Sequence, residues 1–238
     1  MLNSQNEFFF FAHRGASGHE PENTLLAVEK AIQLGARWIE VDVFGVDGKL
    51  IVIHDERLER TTNGSGYINE HSLEYLRGLD AGKGERIPIL EEVLECIDHR
   101  AGLNIELKIP GIAFSVVRML ETYVYKHHWS YEDFIISSFH HHELLEVKKI
   151  QPRIRTGALL VGIPLGYARF GEELGAYSVH MSTEFVSADF IHDAHGRGLK
   201  AFVFTVNTPE ELTRMKYIGL DGVFTNYPEL SNQFLKQV

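Results

Sequence analysis

The chain carries the side chains of phosphate chemistry at the ends of its apolar runs. His13, Arg14 and Gly15 follow directly on the run Phe8–Ala12. Such a run reads as a buried strand, and ionisable groups at its exit are costly unless they have partners or work. An imidazole suits proton transfer, a guanidinium suits an oxyanion, and the glycine lets backbone turn or approach a ligand. In Ile39–Val43, Glu40 and Asp42 lie two apart, so on a strand both point to one face. In Leu103–Lys108, Asn104, Glu106 and Lys108 share a face in the same way. Three carboxylates brought together raise one another's pKa. A hard divalent cation, magnesium or calcium, removes that conflict, because the donors are all oxygens. Lys108 and Arg14 then supply positive charge for a ligand anion. His54 follows the run Leu50–Ile53 and adds a second imidazole. One histidine can accept a proton while the other donates one, which is what cleavage of a phosphodiester requires.

These residues need elements that bring strand ends together. The sequence predicts strands over Phe8–Ala12, Arg37–Val43, Leu50–Ile53, Leu103–Lys108, Phe134–Ser138, Thr156–Val161, Tyr177–Ser182, Lys200–Asn207 and Gly222–Thr225. Helices are expected over Thr24–Leu34, with Asn23 as its cap, and over Ile89–Ile97, Ile112–His127 and His140–Ile150. Further helices are expected over Leu165–Leu174, Ser187–Arg197, Pro209–Ile218 and Pro228–Lys236. About eight strand–helix units in 238 residues favour an α/β fold, a closed (β/α)8 TIM barrel forming a single domain over 1–238. In such a barrel the C-terminal strand ends converge on one face. The stretch 55–86 is polar and without clear period, apart from a possible helix at Ser72–Leu79. It reads as an insertion after the second unit, of the kind that forms a lid or rim.

Composition narrows the function classes. A formal net charge of −10 gives the chain no general attraction for nucleic acid or anionic lipid surfaces. With one cysteine, Cys96, no intrachain disulfide is possible, and this residue reads as a small core side chain. The first residues lack the features of a signal peptide, and no apolar stretch is long enough to span a bilayer. A cytoplasmic protein with no stable membrane insertion is the expectation.

Other histidines and aromatic residues offer related side chains. His140–His142 reads as a solvated helix start, one member of which could reach the barrel mouth. His71, His127 and His128 read as surface residues, and His180 as a candidate for the pocket wall. Phe139 and Phe204 lie near strand ends, either as core or as apolar contacts for substrate. Asn63–Gly66 reads as loop chemistry only.

The chain resembles the glycerophosphodiester phosphodiesterase family. The matching strings are HRGASGHEPENT from His13, IEVDV from Ile39, VIHDERLERTTNGSG from Val52, IPILEEVL from Ile87, NIELK from Asn104, FTVNTPEEL from Phe204 and GLDGVFTNYPEL from Gly219. They cover almost the whole chain in the family's order. The resemblance implies hydrolysis of a small-molecule glycerophosphodiester to glycerol 3-phosphate and an alcohol, with one divalent cation, Mg2+ or Ca2+. It implies Glu40, Asp42 and Glu106 as metal ligands, His13 and His54 as the acid/base pair, and Arg14 and Lys108 as phosphate contacts. Phe204 stands where the family often has tryptophan, and could meet the glycerol unit. Asn226 stands where it often has aspartate. The alternatives are a phospholipase D-like enzyme acting on lysophospholipids, and a catalytically silent barrel that binds phosphodiesters.

Overall fold

The apolar run ahead of His13 forms β1 (Phe9–Ala12) in the computed structural model, which describes residues 8–235. After α1 (Leu25–Gln33), β2 (Trp38–Val46) turns back at Asp47–Gly48 into β3 (Lys49–Val52). Within the insertion lies one short helix, α2 (Leu73–Arg77). Then follow α3 (Leu90–Ile97), β4 (Gly102–Leu107), α4 (Ala113–Lys126), β5 (Phe134–Ser138) and α5 (His141–Ile150). The chain continues through β6 (Arg155–Leu160), α6 (Arg169–Glu173), β7 (Ser178–Ser182) and α7 (Ala188–Gly196). It finishes with β8 (Lys200–Phe204), α8 (Pro209–Tyr217), β9 (Gly222–Thr225) and α9 (Leu230–Leu235).

The strands pair in the order β1-β9-β8-β7-β6-β5-β4-β2-β3, and β1 also pairs with β2. That last pairing closes eight parallel strands into a TIM barrel. β3 stands outside the ring as the antiparallel arm of a hairpin with β2, so the short strand before His54 forms the base of the insertion. Phe44, Ile51 and Ile53 of that hairpin pack with Leu58, Ile68, Leu76 and Ile87. The insertion therefore has a small core of its own, fused to the barrel rim.

Parallel barrel strands are apolar on both faces, because helices cover one and the barrel interior the other. The outer layer is filled by residues such as Val41, Ile105, Ile136 and Val116. α3 shows the helical half of the arrangement, burying Leu90, Val93, Leu94 and Ile97 on one stripe. Inside, Phe11, Ile135, Phe202 and Phe224 form a largely aromatic plug. The Phe11 ring stacks on Phe224 at 4.5 Å and meets Phe202 edge-on at 5.1 Å. This plug makes the barrel a packed core below and leaves only its mouth for chemistry.

Three local expectations are corrected. The cap of α1 is Thr24, whose hydroxyl accepts from the Ala27 N–H at 3.2 Å, and Asn23 lies outside the helix in a left-handed conformation. α6 covers only half of the expected Leu165–Leu174, because Pro164, Gly166 and a left-handed Tyr167 occupy its approach. β8 ends at Phe204, short of Asn207. The expected end of the last helix at Lys236, and the leader reading of residues 1–7, fall outside the described residues. Among the described residues, no helix is long and apolar enough to cross a membrane.

The plug gives the fold its first test. Phe11 is fully buried, and removing such a ring costs about 3–5 kcal/mol. For a domain of this size we expect Phe11→Ala to lower the thermal midpoint by roughly 6–20 °C, read by calorimetry. A shift below 2 °C would mean that the plug is not the core it forms here.

Candidate active site

Strand register assembles the acids. β2 runs parallel to β4 with Glu40 opposite Asn104 and Asp42 opposite Glu106. One carboxylate oxygen from each of Glu40, Asp42 and Glu106 lies within 4.8 Å of the others. Two cations reach into the cluster. Lys108 Nζ lies 2.7 Å from Glu106 and 3.3 Å from Asp42, and Arg14 Nε lies 3.3 Å from Asp42. Burial works against the Asp42 charge, but Lys108 and Arg14 hold its pKa below the ordinary carboxylate value. Glu40 and Glu106 go the other way. Burial first, and then the neighbouring carboxylates, raise both. The cluster therefore has room for more positive charge than its two side-chain cations supply.

The turn after β1 orients these acids from its backbone. Arg14 adopts φ 56°, uncommon for a residue with a side chain, and its N–H donates to Glu40 Oε2 at 2.8 Å. Gly15 follows at φ 75°, and a Cβ there would sit 2.6 Å from the Ala27 backbone. Asn23, at φ 58°, brackets Asp42 from both sides. Its amide nitrogen donates to Asp42 Oδ2 at 2.9 Å, and its oxygen accepts from the Asp42 N–H at 3.2 Å. The residue expected to cap a helix thus holds an acid of the cluster. Left-handed non-glycine residues are costly, and they persist where surrounding structure over-determines them.

The two histidines have unlike partners. His13 Nδ1–H donates to the Asn226 amide oxygen at 2.8 Å, which leaves Nε2 as the free acceptor. Burial and the adjacent Arg14 lower the His13 pKa to about 4. His54 Nδ1 is 2.5 Å from the Asp55 carboxylate. Burial lowers the His54 pKa as well, helped by Lys108 and Arg14 and opposed by Asp42 and Asp55. Asp55 is held in turn by Arg60 Nε. Arg60 also binds both oxygens of Glu22, at 2.7 and 2.8 Å, and Glu22 pairs with Arg14 at 2.7 Å. A chain of alternating charge therefore runs from His54 through the insertion to Arg14. Sequence reasoning missed Glu22, Asp55 and Arg60 as site residues, although all three lie in the strings that carried the resemblance.

His13, Arg14, Glu40, His54, Glu106, Lys108 and Phe204 line one pocket of about 150 Å³ at the barrel mouth. Asp42 sits beneath it in the acid cluster. Phe139, Ser137, Leu159, His180 and Phe224 complete the wall, and Phe139 meets Phe204 edge-on at 6.1 Å. The His140–His142 tract does not enter this pocket. His141 bonds the Leu159 carbonyl at 2.9 Å and stacks on Phe170, while His140 and His142 are exposed.

The charge chain predicts an acid response. Burial works against the Glu22 charge, yet Arg60 and Arg14 lower its pKa from 4.5 to about 2. Its contribution to stability is complete above pH 4.5 and is lost as pH falls through about 2. Arg60→Ala removes one of the two cations and brings that loss to higher pH. We expect the acid-unfolding midpoint of the variant, followed by circular dichroism, to rise by several tenths of a pH unit, and an unchanged midpoint would contradict the network.

Residues 13–230 match the model of the glycerophosphoryl diester phosphodiesterase family. The chain is 38% identical to a glycerophosphodiester phosphodiesterase of Caldanaerobacter subterraneus, over 92% of this chain and 93% of that protein. It is 34% identical to one of Bacillus subtilis, over 99% and 89%. Among solved structures, an Oleispira antarctica phosphodiesterase in complex with the product sn-glycerol-3-phosphate superposes with a TM-score of 0.86. That structure is 34% identical and is covered to 96%, as is this chain. The barrel, the paired histidines at its mouth and these likenesses agree, and the chain belongs to the glycerophosphoryl diester phosphodiesterase family.

Proposed function

We propose that the chain hydrolyses glycerophosphodiesters to glycerol 3-phosphate and an alcohol, with His13 and His54 as its proton carriers. The observation that carries this reading is their placement. Both imidazoles line the pocket that Glu40, Glu106, Arg14 and Lys108 also line, directly above the rest of the acid cluster. The names of the relatives at 34–38% identity support the substrate class.

The acid cluster fits a divalent cation. Its donors are oxygens only, three carboxylates converge within 4.8 Å, and two of them have raised pKa values. Glu40, Asp42 and Glu106 would hold Mg2+ or Ca2+, which when bound neutralises charge developing on the phosphate oxygens. Arg14 and Lys108 add fixed positive charge on the same side. The unlike partners of the histidines support a division of labour. His13 stays neutral at neutral pH and presents Nε2, so it takes the proton from the oxygen that attacks phosphorus, either of water directly or of the glycerol 2-hydroxyl, in which case water opens the cyclic phosphate in a second step. His54 has a carboxylate on Nδ1 that stabilises its imidazolium, so it donates a proton to the leaving alkoxide as the P–O bond breaks. Phe204 and Phe139 offer an apolar wall for the carbon skeleton.

Three outcomes test this. His13→Ala and His54→Ala should each lower kcat roughly 10²–10⁴-fold, with circular dichroism unchanged, in an assay of glycerol 3-phosphate release from glycerophosphocholine. Normal turnover by both variants would sink the assignment. Dialysis against a chelator should abolish turnover, and Mg2+ or Ca2+ should restore it. Glu106→Gln should raise the cation concentration needed for half-maximal recovery by tenfold or more.

A further inference from the structure

His180 is a buried imidazole that the proposed reaction does not use. It comes from the middle of β7 and is fully buried. Its ring packs against Phe202 and Phe224, with centroids 5.4 and 5.1 Å away. The neighbouring strand makes room for it, since a Cβ on Gly157 would lie 2.3 Å from the ring. Nε2 is 2.8 Å from the Ser178 hydroxyl, but Nδ1 has no partner among the described residues. Buried polar atoms in native proteins are almost always paired, so an orphan needs an explanation, and a bound group is one. Burial lowers the His180 pKa to about 3, so the ring is neutral. In either tautomer Nδ1 keeps one hydrogen-bonding function, as donor or as acceptor.

Its position selects the ligand group. In the closed ring of strands, β7 stands four places from β2 in both directions. His180 therefore faces the pocket from the wall opposite Glu40 and Asp42, whose side of the barrel holds Arg14 and Lys108. A substrate whose phosphate meets the cations points its far end at His180. A cavity near 150 Å³ is known to hold a six-atom ligand such as benzene, and glycerol also has six heavy atoms. Phe139, Leu159, Phe204 and Phe224 of the same wall suit the carbons, and the Ser137 hydroxyl there already accepts from the Asn104 amide at 2.8 Å.

We propose that His180 Nδ1 hydrogen-bonds the terminal hydroxyl of the glycerol unit and so selects glycerol diesters over diesters lacking that hydroxyl. This inference rests on the hydrolase reading above. A site built to bond a hydroxyl rejects the analogue without it, because its own buried group is then left unpaired.

The test compares glycerophosphocholine with the phosphocholine diester of propane-1,2-diol, which keeps the inner hydroxyl and lacks only the terminal one. With Mg2+ supplied, wild-type kcat/KM should favour the glycerol diester by about tenfold or more. In His180→Phe that preference should fall to within about twofold, through loss on the glycerol diester. An unchanged preference overturns the inference. So does an equal loss on both diesters, which marks a packing role alone. If His180→Phe does not fold, the wild type decides. Glycerol 3-phosphate should inhibit about tenfold more strongly than its 1-deoxy analogue, and equal inhibition overturns the inference. Failure of the wild type to hydrolyse either diester would instead overturn the hydrolase reading.

Discussion

Repulsion between buried carboxylates is the constraint on which this structure turns. Glu40, Asp42 and Glu106 cannot all be charged within 4.8 Å of one another without compensation. Two strands bring them together, and two cations and a left-handed asparagine hold them there. Removing one partner from such a set leaves an uncompensated buried charge, which costs far more than the pair contributes when complete. The cluster therefore fixes several things at once. It fixes the register of β2 against β4, the backbone conformation of Arg14 and Asn23, and the place of Lys108. The fold below is a stiff aromatic plug that keeps these few ångströms from relaxing.

The barrel was legible in the sequence because its strands are continuous apolar runs and its helices carry periodic stripes. The acids were legible because a period of two places Glu40 with Asp42, and Glu106 with Lys108, on one face. What escaped was set by tertiary neighbours. Asn23 is a good helix cap by composition, but Thr24 beside it is also one, and only the approach of β2 decides which caps and which turns to Asp42. The roles of Glu22, Asp55 and Arg60 depend on the insertion folding back across the barrel, which no local pattern encodes. The shortness of α6 was visible in Pro164 and Gly166, both of which disfavour a helix there.

The two imidazoles show how one residue type takes two characters. Burial lowers the pKa of both rings, and it is opposed by a neutral amide behind His13 and by a carboxylate behind His54. The difference lies in groups that never enter the pocket. Because Asp55 is shared with Arg60, and Arg60 with Glu22, the character of His54 is also tied to the insertion. The insertion at the barrel rim is thereby wired to the residue proposed to protonate the leaving alkoxide.

The hydrogen bond from His13 to Asn226 joins positions 213 residues apart. His13 follows the first barrel strand, and its orienting partner follows the last. The closure of β1 against β9 joins the same two ends of the chain. A chain without its last strand would carry most of the reactive groups but lack the partner that orients His13. An imidazole oriented in this way needs the first and last strands of the ring side by side.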